Sequence, residues 1–248
     1  MKQNNYSYIG IAFVILVFGI WFVPRIVDRV NNDDISRKES RSDQKQEEAS
    51  SKVSDLAFIA NNGQPRKVPA FSFKNQDGEM VTQKAYEGKV YVIEFFFTTC
   101  PTICPRMNNN LVKIQNEFKD FEDFGVASFT INPEHDTPEV LKKYAETYGI
   151  TNPNWHLLTG EKEAIYKLAN EGFYIYAAEN AAVEGGFEHS GNFALIDKNG
   201  YIRSRTDHFG NPIIYYRGIT SEEEGENEDG EKEQISALKA DIKKLLNE

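Results

Sequence analysis

The sequence predicts a mixed α/β domain in which parallel strands are followed by an antiparallel hairpin. Strand-length apolar runs alternate with helical repeats between residues 90 and 171. The turn at 198–200 (Lys-Asn-Gly) then separates two further strand-like runs, and a last helical repeat closes the chain. Because parallel strands need crossover helices while tight turns join antiparallel strands, this order predicts a three-layer α/β fold.

A small hairpin opens the domain and leads into its central strand. Phe71 and Phe73 alternate with polar residues, 75–78 (Asn-Gln-Asp-Gly) predicts a turn, and 80–82 returns as a second strand. The strand that starts at Val90 is apolar, β-branched and aromatic, which is typical of a buried strand.

The only two cysteines of the chain, Cys100 and Cys104, lie where this strand turns into a helix. The residues after them follow a helical repeat: Met107, Leu111, Ile114 and Phe118. We expect the helix to start near Thr102 or Ile103, so its N-terminal N–H groups favour a thiolate. Such a pair can close a disulfide or hold one metal ion. The plain structural alternative is two buried, inert cysteines.

The middle of the domain supplies two more strands and two more helices. The run 126–131 predicts a strand, and Thr137 followed by Pro138 predicts the N-terminus of a helix that ends at Gly149. A short strand at 155–158 and a helix over 161–171 come next.

The last third of the chain closes the sheet. Residues 174–177 form a short strand or an irregular segment, and the Gly-rich loop 184–191 leads into a strand at 192–197 that pairs with 201–205. The final helix has an apolar face: Ile235, Leu238, Ile242 and Leu245. This order is that of a thioredoxin-like fold, with the cysteines at the end of the first crossover strand.

The chain before the domain predicts a membrane anchor and a tether. Residues 9–23 carry no charge, and a span over 8–27 has the length that crosses a bilayer. A cleaved signal peptide is the alternative, but no small-x-small cleavage site follows. We expect a short tail (1–7), a transmembrane helix (8–27), a polar tether (28–64) and a domain (65–248) at the cell membrane. The positive charges on the two sides of the span are nearly balanced, which leaves its orientation open, although the short N-terminal side favours a cytoplasmic tail and an extracytoplasmic domain.

Charge limits the possible partners of the chain. The net charge of −10 argues against a nucleic-acid partner. The acidic segment 221–233 predicts a solvated loop, with weak cation binding as the alternative.

A third metal ligand must come from the four histidines. His189 lies in the Gly-rich loop that enters the closing hairpin, and His135 follows a predicted strand at the same edge of the sheet. A core or surface role is expected for His156, and a loop role for His208. From position alone, His189 and His135 both stay open as ligands.

Three segments resemble the Sco/SenC family of copper proteins. They are 95–105 (Phe-Phe-Phe-Thr-Thr-Cys-Pro-Thr-Ile-Cys-Pro), 128–144 with its Asp-Thr-Pro-Glu, and His189-Ser followed by Phe193-Ala-Leu-Ile-Asp-Lys-Asn-Gly200. The resemblance covers the chain from about Val68 to the final helix. Asn132 and His135 depart from the family, which usually has Asp and often Arg at these two positions.

The resemblance implies a membrane-anchored copper metallochaperone. Its ligands would be Cys100, Cys104 and His189, holding one copper ion as Cu(I) or Cu(II). It would receive copper from a donor protein and assist assembly of the dinuclear copper centre in the copper-bearing subunit of cytochrome c oxidase. Two thiolates and an imidazole also suit copper on chemical grounds, although the ligand types do not exclude zinc.

The same cysteines suit a second class of function. A thiol–disulfide oxidoreductase would use Cys100 and Cys104 as a redox-active pair to reduce the cysteines of the target copper site. The three intervening residues argue against this reading, because the thioredoxin motif has two. A peroxide-reducing thiol enzyme is a more distant third.

Overall fold

The structure is a computed structural model that describes Leu16, Phe18 and residues 56–248 except 62, 208 and 229. The chain divides into two compact units, 1–50 and 51–248. No helix among the described residues is long and apolar enough to cross a bilayer. The predicted anchor lies outside them apart from Leu16 and Phe18, and most of the predicted tether also lies outside them.

Thirteen strands occur in the described part of the second unit. They are β1 (Ala57–Phe58), β2 (Ala60–Asn61), β3 (Gln64–Pro65), β4 (Ser72–Lys74), β5 (Met80–Thr82), β6 (Val90–Phe96), β7 (Phe124–Thr130), β8 (Trp155–Leu158), β9 (Ala177–Glu179), β10 (Phe187–His189), β11 (Asn192–Ile196), β12 (Ile202–Ser204) and β13 (Tyr216–Arg217). The main sheet has the order β1-β12-β11-β6-β7-β8, and β13 also pairs with β11. β6, β7 and β8 are parallel, whereas β11 runs antiparallel to β6.

Four α-helices accompany these strands in the described residues. They are α1 (Ile103–Glu117), α2 (Pro138–Tyr148), α3 (Lys162–Lys167) and α4 (Ile235–Leu246). A 3₁₀ turn, Gln83–Tyr86, precedes β6, and a π-helical turn, Leu168–Phe173, continues α3.

The central strand β6 is buried on both faces, as its apolar run predicts. Phe95 stacks on Phe129 and contacts Phe173 beyond α3, while Phe96 on the opposite face contacts Tyr144 of α2. The sheet is therefore the middle layer of three, which confirms the predicted mixed α/β fold.

Local signals in the sequence set most of these boundaries. α1 begins at Ile103 as expected, and the Thr137 side chain caps α2, which ends at Gly149 with a left-handed φ of 71°. The helix predicted over 161–171 is an α-helix only to Lys167, after which it widens into the π turn.

One region differs from the sequence-based expectations. The described residues of 57–64, in the predicted tether, contribute to β1–β3, and Phe58 of β1 packs edge-on against Tyr201 and beneath the Arg203 guanidinium. In the acidic segment 221–233, the exposed Glu223 and Glu224 pair with Lys113 and Arg106 of α1.

Candidate metal centre

The register of β6 and β11 places the ends of two loops side by side. Ala194 lies opposite Ile93, so the start of β11 lies beside the carboxyl end of β6. Residues that follow β6 and residues that precede β11 therefore meet at one edge of the sheet. Cys100 and Cys104 belong to the first group, and His189 belongs to the second.

These three side chains form one compact donor group. The Cys100 Sγ, Cys104 Sγ and His189 imidazole nitrogen all lie within 4.8 Å of one another. The Cys104 Sγ is 3.1 Å from His189 Nε2, and the Cys104 backbone N–H donates to Cys100 Sγ at 3.5 Å. Both cysteines are free thiols, and all three side chains are buried.

The imidazole of His189 is oriented by its second nitrogen. Its Nδ1 lies 3.3 Å from the Ser190 carbonyl oxygen, which can only accept, so Nδ1 carries the proton. Nε2 is then free to donate its lone pair toward the cysteines. The ring also packs edge-on against Phe97. The β9–β10 ribbon that carries His189 occupies a segment predicted as loop.

Two glycines let the histidine segment pack closely against neighbouring side chains. A Cβ atom on Gly191 would lie 2.3 Å from Ile219 Cδ1, which no real contact allows. Gly185, with a φ of 88°, lies against Pro101 and Phe97. Glycine at these positions lets the His189 segment approach the thiols.

The two thiols differ in acidity. A hydrogen bond from Cys104 is the main cause that lowers the pKa of Cys100 to about 3, against the effect of burial. Burial raises the pKa of Cys104 far above that of an ordinary thiol, and the Cys100 and Glu94 charges add to the rise. Cys100 is therefore the more acidic of the two thiols.

The donor set favours a soft or borderline ion. Within the part of the chain that the structure describes, this is the only group of three or more His, Cys, Asp or Glu side chains placed to share one metal. Two sulfurs and one imidazole suit copper, whereas structural zinc sites close with a fourth ligand.

The turn before Cys100 is held by a buried carboxylate that the sequence does not reveal. Asp136 accepts hydrogen bonds from the Thr98 N–H at 3.0 Å and the Thr98 hydroxyl at 2.5 Å. The partners are 38 residues apart, so no local pattern signals the contact. On the helix side, the Asn108 amide donates to the Cys104 carbonyl oxygen at 3.0 Å.

His135 and His156 lie outside the donor group. His135 is half exposed, and its Nδ1 lies 2.8 Å from Asp136 Oδ1. His156 in β8 lies 3.4 Å from the Asn75 amide, far along the sheet from the cysteines, which agrees with the expected core or surface role. His208 lies outside the described residues.

Comparisons with known proteins agree with this architecture. The family model described as SCO1/SenC matches residues 59–222. A SCO1 protein homolog of Bacillus subtilis is 33% identical over 138 residues, which covers 55% of this chain and 71% of that protein. An SCO2-like protein of Rickettsia typhi is 36% identical over 143 residues, covering 54% and 67%.

Solved structures show the same fold. A SCO1/SenC family lipoprotein from Bacillus anthracis has a TM-score of 0.59 at 31% identity, covering 73% of this chain and 95% of that chain. BsSco, described with a disulfide switch and as a member of the Sco family of cytochrome c oxidase assembly proteins, has a TM-score of 0.57 at 28% identity, covering 73% and 94%.

Proposed function

This chain belongs to the SCO1/SenC family, and from that premise we propose that it binds one copper ion through Cys100, Cys104 and His189. One observation carries the proposal, namely the three donor atoms within 4.8 Å of one another. Metal–ligand bonds of about 2.3 Å at 120° separate three donors by about 4 Å, so a trigonal ion needs only small adjustments. Cu(I) suits three ligands, and Cu(II) suits the same set with a further ligand or a water.

The bound copper is cargo that the protein hands to an assembling oxidase. A cleft of about 170 Å³ opens beside Cys100 and His189, lined in part by Phe97 and Phe187. Through it the ligands of a partner can replace these ligands one at a time. Cytochrome c oxidase assembly is the role named for the Sco family in the BsSco structure, and the target here is the copper-bearing subunit of that enzyme.

The domain acts at the outer face of the cell membrane. Residues 8–27 anchor it, the residues from 28 to about 55 form the tether, and the domain that begins near Leu56 faces the extracytoplasmic side. The apolar run at 9–23 supports this placement, and the similar Bacillus anthracis protein is described as a lipoprotein. On this side of the membrane, the domain meets both its copper donor and the oxidase.

The acidity of the two thiols favours a second function, reduction of a disulfide in the target. The Cys100 thiolate attacks one sulfur of that disulfide, forms a mixed disulfide and releases the other sulfur as a thiolate. Cys104 then passes its proton to the released target thiolate and attacks Cys100 Sγ. The second target thiolate leaves, and two electrons have passed from the cysteine pair to the target.

Removal of His189 separates the two functions. His189→Ala should weaken Cu(I) binding by at least about tenfold, while the rate of reduction of oxidised glutathione stays largely unchanged. His156→Ala, the matched control in β8, should leave both unchanged, and Cys104→Ser should abolish both. Chelator competition measures the affinity. An unchanged affinity in His189→Ala would contradict the three-ligand site.

A further inference from the structure

Asp136 is a buried carboxylate with a full set of hydrogen-bond donors. Its Oδ1 accepts from the Thr98 hydroxyl at 2.5 Å and lies 2.8 Å from His135 Nδ1. Its Oδ2 accepts from the Thr98 N–H at 3.0 Å and the Thr130 hydroxyl at 2.5 Å. Because a carboxylate offers about four acceptor positions, these four contacts use all of them. The side chain is 0% exposed, so the contacts fix its position.

Two of the four donors belong to the turn that presents Cys100. This thiol turn, residues 97–100, is closed by a hydrogen bond of 3.2 Å from the Cys100 N–H to the Phe97 carbonyl oxygen. Thr98 lies inside the turn, and Asp136 holds both its N–H and its hydroxyl. Asp136 therefore fixes the residue that lies two positions before Cys100.

The other two donors, Thr130 and His135, belong to β7 and to the loop that follows it. Thr130 is the last residue of β7, and Asp136 ends the loop that follows this strand. The carboxylate thus ties the loop after β6 to the loop after β7.

We propose that Asp136 is a positioning residue of the metal centre, which sets the place of the Cys100 sulfur through Thr98. This inference rests on the proposed copper site. A three-ligand site needs each donor within a fraction of an ångström of its bonding position, and groups that orient ligands commonly change metal affinity by roughly 10–100-fold.

Thr98 and Thr130 provide a matched pair of variants. Each donates one hydroxyl hydrogen bond of 2.5 Å to Asp136, but only Thr98 belongs to the thiol turn. Thr98→Val and Thr130→Val therefore remove the same kind of bond from the same carboxylate. A purely structural role for Asp136 predicts equal effects, whereas a positioning role predicts that only Thr98→Val affects the site.

The test uses the full chain and its Asp136→Asn, Thr98→Val, Thr98→Ser and Thr130→Val variants. Two quantities are measured: Cu(I) affinity by chelator competition, and the reduction potential of the Cys100–Cys104 pair by equilibration with glutathione. We expect Asp136→Asn and Thr98→Val to weaken Cu(I) binding by about tenfold or more. They should also change the dithiol–disulfide equilibrium by about tenfold, which corresponds to about 30 mV.

Thr98→Ser keeps the hydroxyl and should restore parental values, and Thr130→Val should stay within about twofold of the parent. The inference is overturned if Thr98→Val and Thr130→Val change both quantities equally, or if Asp136→Asn lowers only the melting temperature. If the parent binds no copper, the proposed function fails. The reduction potentials still decide whether Asp136 positions Cys100.

Discussion

Two groups of polar side chains in the described part of the chain are organised in opposite ways. Where β12 and β13 meet α4, Asp241 accepts a two-pronged contact from Arg205, at 2.8 and 2.9 Å, and a hydrogen bond from the Tyr216 hydroxyl. At the metal centre, Cys100, Cys104 and His189 face one another, and none of the described Lys or Arg side chains lines the cleft beside them.

The difference shows that the group around Asp241 already has its bonding partners, whereas the donors around Cys100 are arranged to bind an ion. Around Asp241 the negative charge has its cation and its hydrogen-bond donors, so the cluster joins strand to helix and needs nothing more. Around Cys100 electron-pair donors converge without a cation. A converging donor set lowers its free energy by binding a positive ion, which is what a metal supplies.

Removal of Asp241 should give the largest loss of stability. In Asp241→Ala, Arg205 and the buried Tyr216 hydroxyl lose their partner, which should lower the free energy of unfolding by about 3 kcal/mol. Urea denaturation measures the change. Cu(I) affinity should stay within about twofold of the parent, because the cluster does not contact the donors. An equal loss of copper affinity would mean that the two groups are not independent.

The pH dependence of alkylation tests whether the pKa of Cys100 is lowered. With a pKa of about 3, Cys100 is ionised at both pH 5 and pH 7, so its alkylation by iodoacetamide should change less than about twofold. An ordinary thiol of pKa near 8.5 should change about 100-fold over this range. Peptide mass spectrometry assigns the modified residue. A 100-fold change at Cys100 would contradict a thiolate stabilised by Cys104.

The same pKa shift has a defined effect on stability. Because the folded-state pKa of Cys100 is below that of the unfolded chain, its ionisation stabilises the fold fully above about pH 8.5. This contribution is lost as the pH falls toward 3. The raised pKa of Cys104 acts in the opposite direction and disfavours the fold as the pH rises.

An exposed ion pair should give the smallest effect. Lys113 lies 2.5 Å from Glu223, but both side chains are well exposed, at 40% and 67%. Lys113→Ala should shift the melting temperature by no more than about 1 °C, because solvent and salt screen such pairs. Calorimetry at low and high salt checks this. A shift as large as that of Asp241→Ala would show that the acidic segment is part of the structural core.

The sequence predicts the elements whose signals are local. The Thr137–Pro138 start and Gly149 end of α2 depend on capping within a few residues, and the structure confirms them. The β6–α1 junction is equally local, because a buried strand and a helical repeat meet at the cysteines. The mixed α/β fold follows from the order of such elements.

Contacts between distant residues could not be predicted in the same way. The β9–β10 ribbon consists of three-residue strands in a Gly-rich segment, too short for a period to show. The hydrogen bonds from Thr98 to Asp136 join residues that are distant in the sequence, so they depend on tertiary packing alone. The position of His189 in the sequence makes it a candidate ligand. Its closeness to Cys104, however, depends on the register of β11 against β6, which the sequence does not show.

The sequence distance between the ligands also orders events during synthesis. His189 follows Cys104 by 85 residues, so at ribosomal rates of 5–20 residues per second the thiols emerge roughly 4–17 s before the imidazole. The three donors meet only after β11 has paired with β6. A nascent chain therefore holds two thiols without their histidine until the segment that leads into β11 has been made.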